Sequence, residues 1–123
     1  MSMEMVARVL QVIVGAGLLN VWLLRARSGT SYRGGNAQTL RQEFDAYGLP
    51  AIAFYGVGTL KILAGLILLA GVWLPLPVEL AAAVVAALMI GAIAMHIRVK
   101  DPARKSVPAA LMLVMCLGIV LLR

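Results

Sequence analysis

Four apolar runs, at about residues 5–24, 49–73, 78–97 and 107–122, leave this chain few ways to fold. Each is close to the roughly 17–25 residues that a helix needs to cross about 30 Å of hydrocarbon, the fourth being the shortest. They are rich in Gly and Ala and lack alternating polar positions, so they read as helices and not as strands of a membrane barrel. A content of 63% hydrophobic and 13% charged residues lies outside the range of soluble globular chains. The expected fold is all-α: an integral membrane four-helix bundle, one transmembrane domain over residues 1–123, with the lipid bilayer as its first partner. The N-terminal run is long for a signal peptide, is flanked by Glu4 and Arg8, and is followed by no small-residue cleavage pattern before Arg25, so it is expected to stay in the mature chain.

The formal charge of +6 would suggest nucleic acid in a soluble protein, but here the cations are placed by topology. Arg25, Arg27, Arg33, Arg41, Arg98, Lys100, Arg104 and Lys105 fall in the first and third connections, which share one side of an antiparallel bundle. The positive-inside rule makes that side cytoplasmic and turns both termini outward, as in a multi-pass protein of a bacterial-type inner membrane. Cys116 is the only cysteine and His96 the only histidine. A dithiol mechanism, a bis-histidine haem and a Cys/His zinc site within one subunit are therefore excluded, and no metal or cofactor is expected.

The first connection is the long one. Its first half, "RARSGTSYRGGN", reads as irregular, while "AQTLRQEFDAY" places Leu40, Phe44 and Tyr47 at i, i+4 and i+7. That spacing predicts a short amphipathic helix over about 37–47, with Asn36 able to cap its start and Gly48 its end. It lies in the headgroup layer or folds over the bundle, with Arg41, Glu43 and Asp45 on its polar face. Pro50 suits the first turn of the second span, Pro75 to Pro77 force a tight turn, and Ser106 can cap the fourth span ahead of Pro108.

One residue resists this scheme. Lys61 stands in the middle of "GVGTLKILAGLILLAGVW", where a charge costs at least about 2.5–3.5 kcal/mol. Helical spacing puts it on one face with Gly58 and Gly65, small residues that admit a neighbouring helix, so it points into the bundle. Helix side chains lean toward their own N-terminus. Lys61 should therefore reach back toward the cytoplasmic layer, while Asn20 and His96, on helices running the other way, lean inward. At about 1.5 Å per residue Lys61 starts roughly 16 Å deep, Asn20 roughly 7 Å and His96 roughly 3–5 Å, and a lysine stem closes much of the gap. One polar layer of Asn20, Lys61 and His96 follows, roofed by Glu43 and Asp45. Glu79 stands too far along its helix to be a partner. Trp22, Trp73 and Tyr55 read as interface belts and packing.

The stretches "YRGGNAQTLRQEFDAYGLP", "GTLKILAGLILLAGVWLP" and "AALMIGAIAMHIRVKDPARKSVPAALML" resemble the DoxX-like family of small four-helix membrane proteins. Its most specific parts here are K-I-x-A-G around Lys61 and H-x-R-x-x-D-P-x-x-K-x-x-P-A from His96 to Ala109. The resemblance implies a four-helix bundle and marks Lys61, His96, Arg98 and Asp101 as pattern positions, so the candidate ligand-binding residues are Lys61, His96, Asn20, Glu43 and Arg98. It implies no particular reaction. Members are linked to thiosulfate:quinone oxidoreductase, to redox complexes and to receptor assembly, and those that handle disulfides use paired cysteines, which this chain lacks.

Small size, Gly/Ala-rich faces and little extramembrane mass favour a non-catalytic accessory or assembly subunit of a larger membrane complex, redox or electron-transfer complexes included. Other subunits of that complex, or further copies of the chain in a homo-oligomer, are then its expected partners. The alternative is that the polar layer binds a quinone, lipid or other polar-headed apolar ligand, with oxidoreductase or isomerase chemistry open to it. Transport is a third reading and needs an oligomer.

Overall fold

A computed structural model describes residues 2–24 and 32–123. The charges of Arg25 and Arg27, and the expected irregularity of residues 25–31, lie outside the described residues. Among the described residues there are five α-helices: α1 (Met3–Leu19), α2 (Leu40–Ala46), α3 (Ala51–Ala70), α4 (Val78–Arg98) and α5 (Val107–Leu122). A π-helical turn, Asn20–Leu24, extends α1, and a 3-10 turn, Ala103–Ser106, leads into α5. With those extensions, four helices are long and apolar enough to cross a membrane. There are no strands among the described residues.

Helix α1 touches α3 and α5, and α4 touches α3 and α5, while the diagonal pairs do not meet. The four long helices therefore form an antiparallel ring. Its core mixes small residues such as Ala64, Ala82 and Cys116 with a few larger ones, Val14, Leu18, Leu68, Val85 and Ile119, while many other large aliphatic side chains point outward. Lipid is as apolar as leucine, so close contact between backbones holds such a bundle together better than bulky side chains would. At the tightest crossing, a Cβ built on Gly15 would come within 2.9 Å of the Gly65 carbonyl oxygen. The small face expected around Lys61 is thus the face on which α1 approaches α3.

Gln11 fixes the end of the ring that carries the termini. Wholly buried, it donates from Nε2 to the Leu68 carbonyl (3.2 Å) and accepts from Arg123 Nη1 (2.8 Å). At the other end, α2 lies across the bundle. Its hydroxyl cap is Thr39, which accepts from the Gln42 N–H at 3.1 Å, rather than Asn36, which is exposed in the preceding loop. The loop folds back on itself first, with the Ala37 N–H bonded to the Gly34 carbonyl, so the helix begins one turn later than the apolar spacing suggests. Gly48, at φ +75°, closes α2: its N–H reaches the Asp45 carbonyl and that of Leu49 reaches Phe44, the paired bonds of a left-handed helix stop. Ser106 does not cap α5. Its backbone is already helical and its side chain makes no capping bond.

Gly15→Val is expected to destabilise the bundle by about 1–3 kcal/mol, because backbone, not a side-chain tip, must move. Gly56→Ala, where a Cβ meets nothing within 4 Å, should be neutral or slightly stabilising. Thermal unfolding in mild detergent, followed by helical circular dichroism, checks the pair.

Candidate functional site

The site begins with the way α4 stops. Lys100 takes a left-handed backbone conformation (φ 59°), the Asp101 N–H bonds the His96 carbonyl at 2.9 Å, and the Lys100 N–H bonds that of Ile97 at 3.0 Å. This is the same stop that Gly48 makes on α2, here with a non-glycine residue carrying the unfavourable φ. The reversal returns the Asp101 side chain to the ring it has just passed. His96 Nδ1 and Asp101 Oδ2 stand 2.8 Å apart with both side chains buried.

Asp101 also accepts the Gly35 N–H (3.0 and 3.2 Å to its two oxygens), and Lys105 donates to the Gly35 carbonyl at 2.7 Å. One glycine residue of the first connection is thereby held at both its N–H and its carbonyl by the third. Gly34, next to it, lies so close under the Tyr47 ring that a Cβ has no room. Tyr47 donates to Glu43 Oε1 at 2.6 Å and stands 3.5 Å from His96 Nε2, and Arg33 pairs with the other oxygen of Glu43 at 3.5 Å. A continuous polar chain, Arg33–Glu43–Tyr47–His96–Asp101–Lys105, clamps the 33–47 segment over the bundle as a roof.

Electrostatics favour this arrangement. Burial alone would raise the Asp101 carboxyl. The His96 hydrogen bond, the Gly35 N–H and the charge of Lys105 outweigh it and hold the group below the usual carboxylate range. Burial, then the hydrogen bond to Glu43 and that residue's charge, push the Tyr47 phenol far above its ordinary value, so it stays protonated. Since the Asp101 carboxylate can only accept, the network assigns a proton to His96 Nδ1, leaving Nε2 toward Tyr47.

Beneath the roof lies a cavity of about 290 Å³. Leu18, Met89, Ala92, Ala109 and Met112 form apolar walls, and Asn20, Arg33, Glu43, Lys61, His96 and Lys105 bring polar atoms to it. Lys61 comes from the middle of α3, with its ammonium 5.5 Å from the centre of the Trp22 ring. Among the described residues it makes no hydrogen bond or ion pair. Gly58, one turn earlier on α3, leaves the space that the Trp22 ring fills. Trp22 continues the buried face of Gln11 and Leu18 into the π-helical turn and packs on Phe44 and Phe54.

Four of the sequence candidates, Lys61, His96, Asn20 and Glu43, thus line one cavity, with Asn20 exposed at its rim. Arg98 does not join them. Two residues beyond His96 a helix has turned well past a right angle, and Arg98 is exposed near Gly48. Asp45 is also outside, loosely paired with Arg41. Trp73 and Tyr55 are exposed, whereas Trp22 is interior. Sequence reasoning missed Tyr47 as a polar group, the direct Asp101–His96 bond, and the parts of Arg33 and Lys105. The one available signal was the glycine pair of "YRGG", which asks for close backbone approach.

Residues 9–118 match the sequence profile of the DoxX-like family. The chain belongs to that family. The match takes in the roof, α3 and α4 whole and most of α1 and α5 of this DoxX-like protein. No curated protein and no solved structure shows significant similarity to it.

The clamp should be strong wherever Asp101 is ionised. Its lowered carboxyl contributes stability that is fully present above the ordinary value of about 3.9 and is lost as pH falls through the lower folded-state value. Hydrogen exchange of amides 33–47 at pH 7, corrected for intrinsic rate, reads that protection. Asp101→Asn should speed it about tenfold or more, the effect of losing charge-assisted bonds of about 1.5–3 kcal/mol.

Proposed function

We propose that this DoxX-like membrane protein binds a small apolar molecule with a polar head, a quinone or a lipid, in the cavity beneath the roof. The observation that carries the reading is Lys61. An ammonium at the middle of a membrane-crossing helix opens onto a space with apolar walls and has no described residue as hydrogen-bonding partner. Intramembrane cations that are not needed for packing mark binding sites and ion paths. The walls supply the apolar contact of a ligand site and the roofed end a few convergent polar groups, the usual make-up of a small-molecule pocket. His96, oriented by Asp101, stands beside the head position as a group able to accept or deliver a proton. By the positive-inside rule the roof faces the cytoplasm and the ligand sits in the inner leaflet.

Service as an accessory or assembly subunit remains the competing reading. It rests on the size of the chain and on its outward apolar faces, which lipid would cover as well as a partner would. Native mass spectrometry of the protein taken from its own membranes in mild detergent separates the two. A bound mass of one small molecule per chain, lost in Lys61→Met and reduced in His96→Ala, is the expected result. Fixed-ratio co-purification with other subunits, with no small mass at any stage, would favour the accessory role.

A further inference from the structure

The charges around the cavity divide unequally. At the roofed end each carboxylate is already committed: Glu43 to Tyr47 (2.6 Å) and Arg33 (3.5 Å), Asp101 to His96 (2.8 Å), the Gly35 amide and Lys105 (3.6 Å). Lys61 alone among the cations lining the cavity has neither an ion pair nor a hydrogen bond to a described residue, and its near neighbour is the face of Trp22. A ring face softens the loss of water for an ammonium without cancelling its charge. Deep in hydrocarbon that leaves the ammonium with no direct counter-ion, only the more distant charge of Glu43, in a space that nothing of the described chain fills.

Resting on the ligand-site reading above, we infer that the bound molecule is a single-chain anionic amphiphile, whose carboxylate or phosphate head is the counter-ion of Lys61. Size supports the single chain. A cavity of about 290 Å³ sits at the small end of ligand sites, which run from about 300 to 1,000 Å³. That space matches a head and the first carbons of one chain. The thioether-bearing walls at Met89 and Met112 suit a flexible chain of variable course. A neutral quinone head would accept one hydrogen bond from Lys61 and leave the charge standing.

Trp22 provides the readout. In Trp73→Phe, which changes an exposed residue at the other end of the bundle, Trp22 is the sole tryptophan and its ring lies beside the ammonium. This variant, in nanodiscs of zwitterionic lipid, is titrated with decanoate, with decanol and with a decyl-tailed benzoquinone. Decanoate is expected to change Trp22 fluorescence saturably and to bind at least tenfold tighter than decanol. Lys61→Met should abolish that preference and Lys61→Arg should keep it. Decanol or the quinone binding as tightly as decanoate, or a preference that survives Lys61→Met, would overturn the anionic assignment and leave the ligand site standing. No saturable change with any of the three, in protein that keeps its thermal transition, would overturn both.

Discussion

A bilayer offers an ammonium no water, and the roofed end of this bundle is organised around that constraint at Lys61. The lysine is tolerable in the middle of α3 because three things coincide there. Gly58 and Gly65 let α1 come close on the same face, the turn that ends α1 widens and directs Trp22 under the ammonium, and a cavity opens where a helix packed more fully would have filled the space. Remove the small residues and α1 moves away, taking Trp22 with it. Remove the charge and the cavity loses its reason to be polar at one end only.

The second element is the clasp between the two connections. It depends on a local event, the left-handed stop at Lys100, which swings Asp101 back beside His96. From there the contacts run to Gly35 and Tyr47, far away along the chain, and the roof becomes a consequence of how a single helix ends. His96 consequently has one ring nitrogen engaged by a carboxylate and the other turned toward Tyr47 at the edge of the cavity. That holds an imidazole in a fixed orientation at a cavity that also receives an ammonium with no direct ion pair.

How much of this is legible in the sequence follows from the kind of pattern each feature leaves. Spans are written in run length, the approach of α1 to α3 in the spacing Gly58–Lys61–Gly65, and α2 in Leu40, Phe44 and Tyr47, all of them periodic signals. Counting residues along antiparallel helices, and allowing for the reach of a lysine stem back toward its helix N-terminus, also brings Asn20, Lys61 and His96 into one layer. The clasp leaves no period, because Asp101 meets a peptide 66 residues away through a turn. Tyr47 shows why a face is only half a reading: its ring packs in the apolar cluster as its spacing requires, while its hydroxyl joins the polar chain. Arg98 fits a motif but points away from the site, since helical rotation overrides closeness in sequence. Asn36 and Ser106 have the right chemistry to cap helices, yet the loop folding at Gly34 moves the start of α2 to Thr39, and the 3-10 turn at Ala103–Ser106 leaves Ser106 already helical, with no capping bond, ahead of an α5 that starts where expected.

The most direct measurement is a cryo-EM or crystal map of the protein extracted from its own membranes without exchange of its lipids, at a resolution that shows side chains. Elongated density in the cavity, its head within hydrogen-bonding distance of Lys61 Nζ and its tail between Met89 and Met112, is the predicted result. A cavity closed by side chains, with Lys61 paired to Glu43 or drawn out to the lipid headgroups, would contradict it.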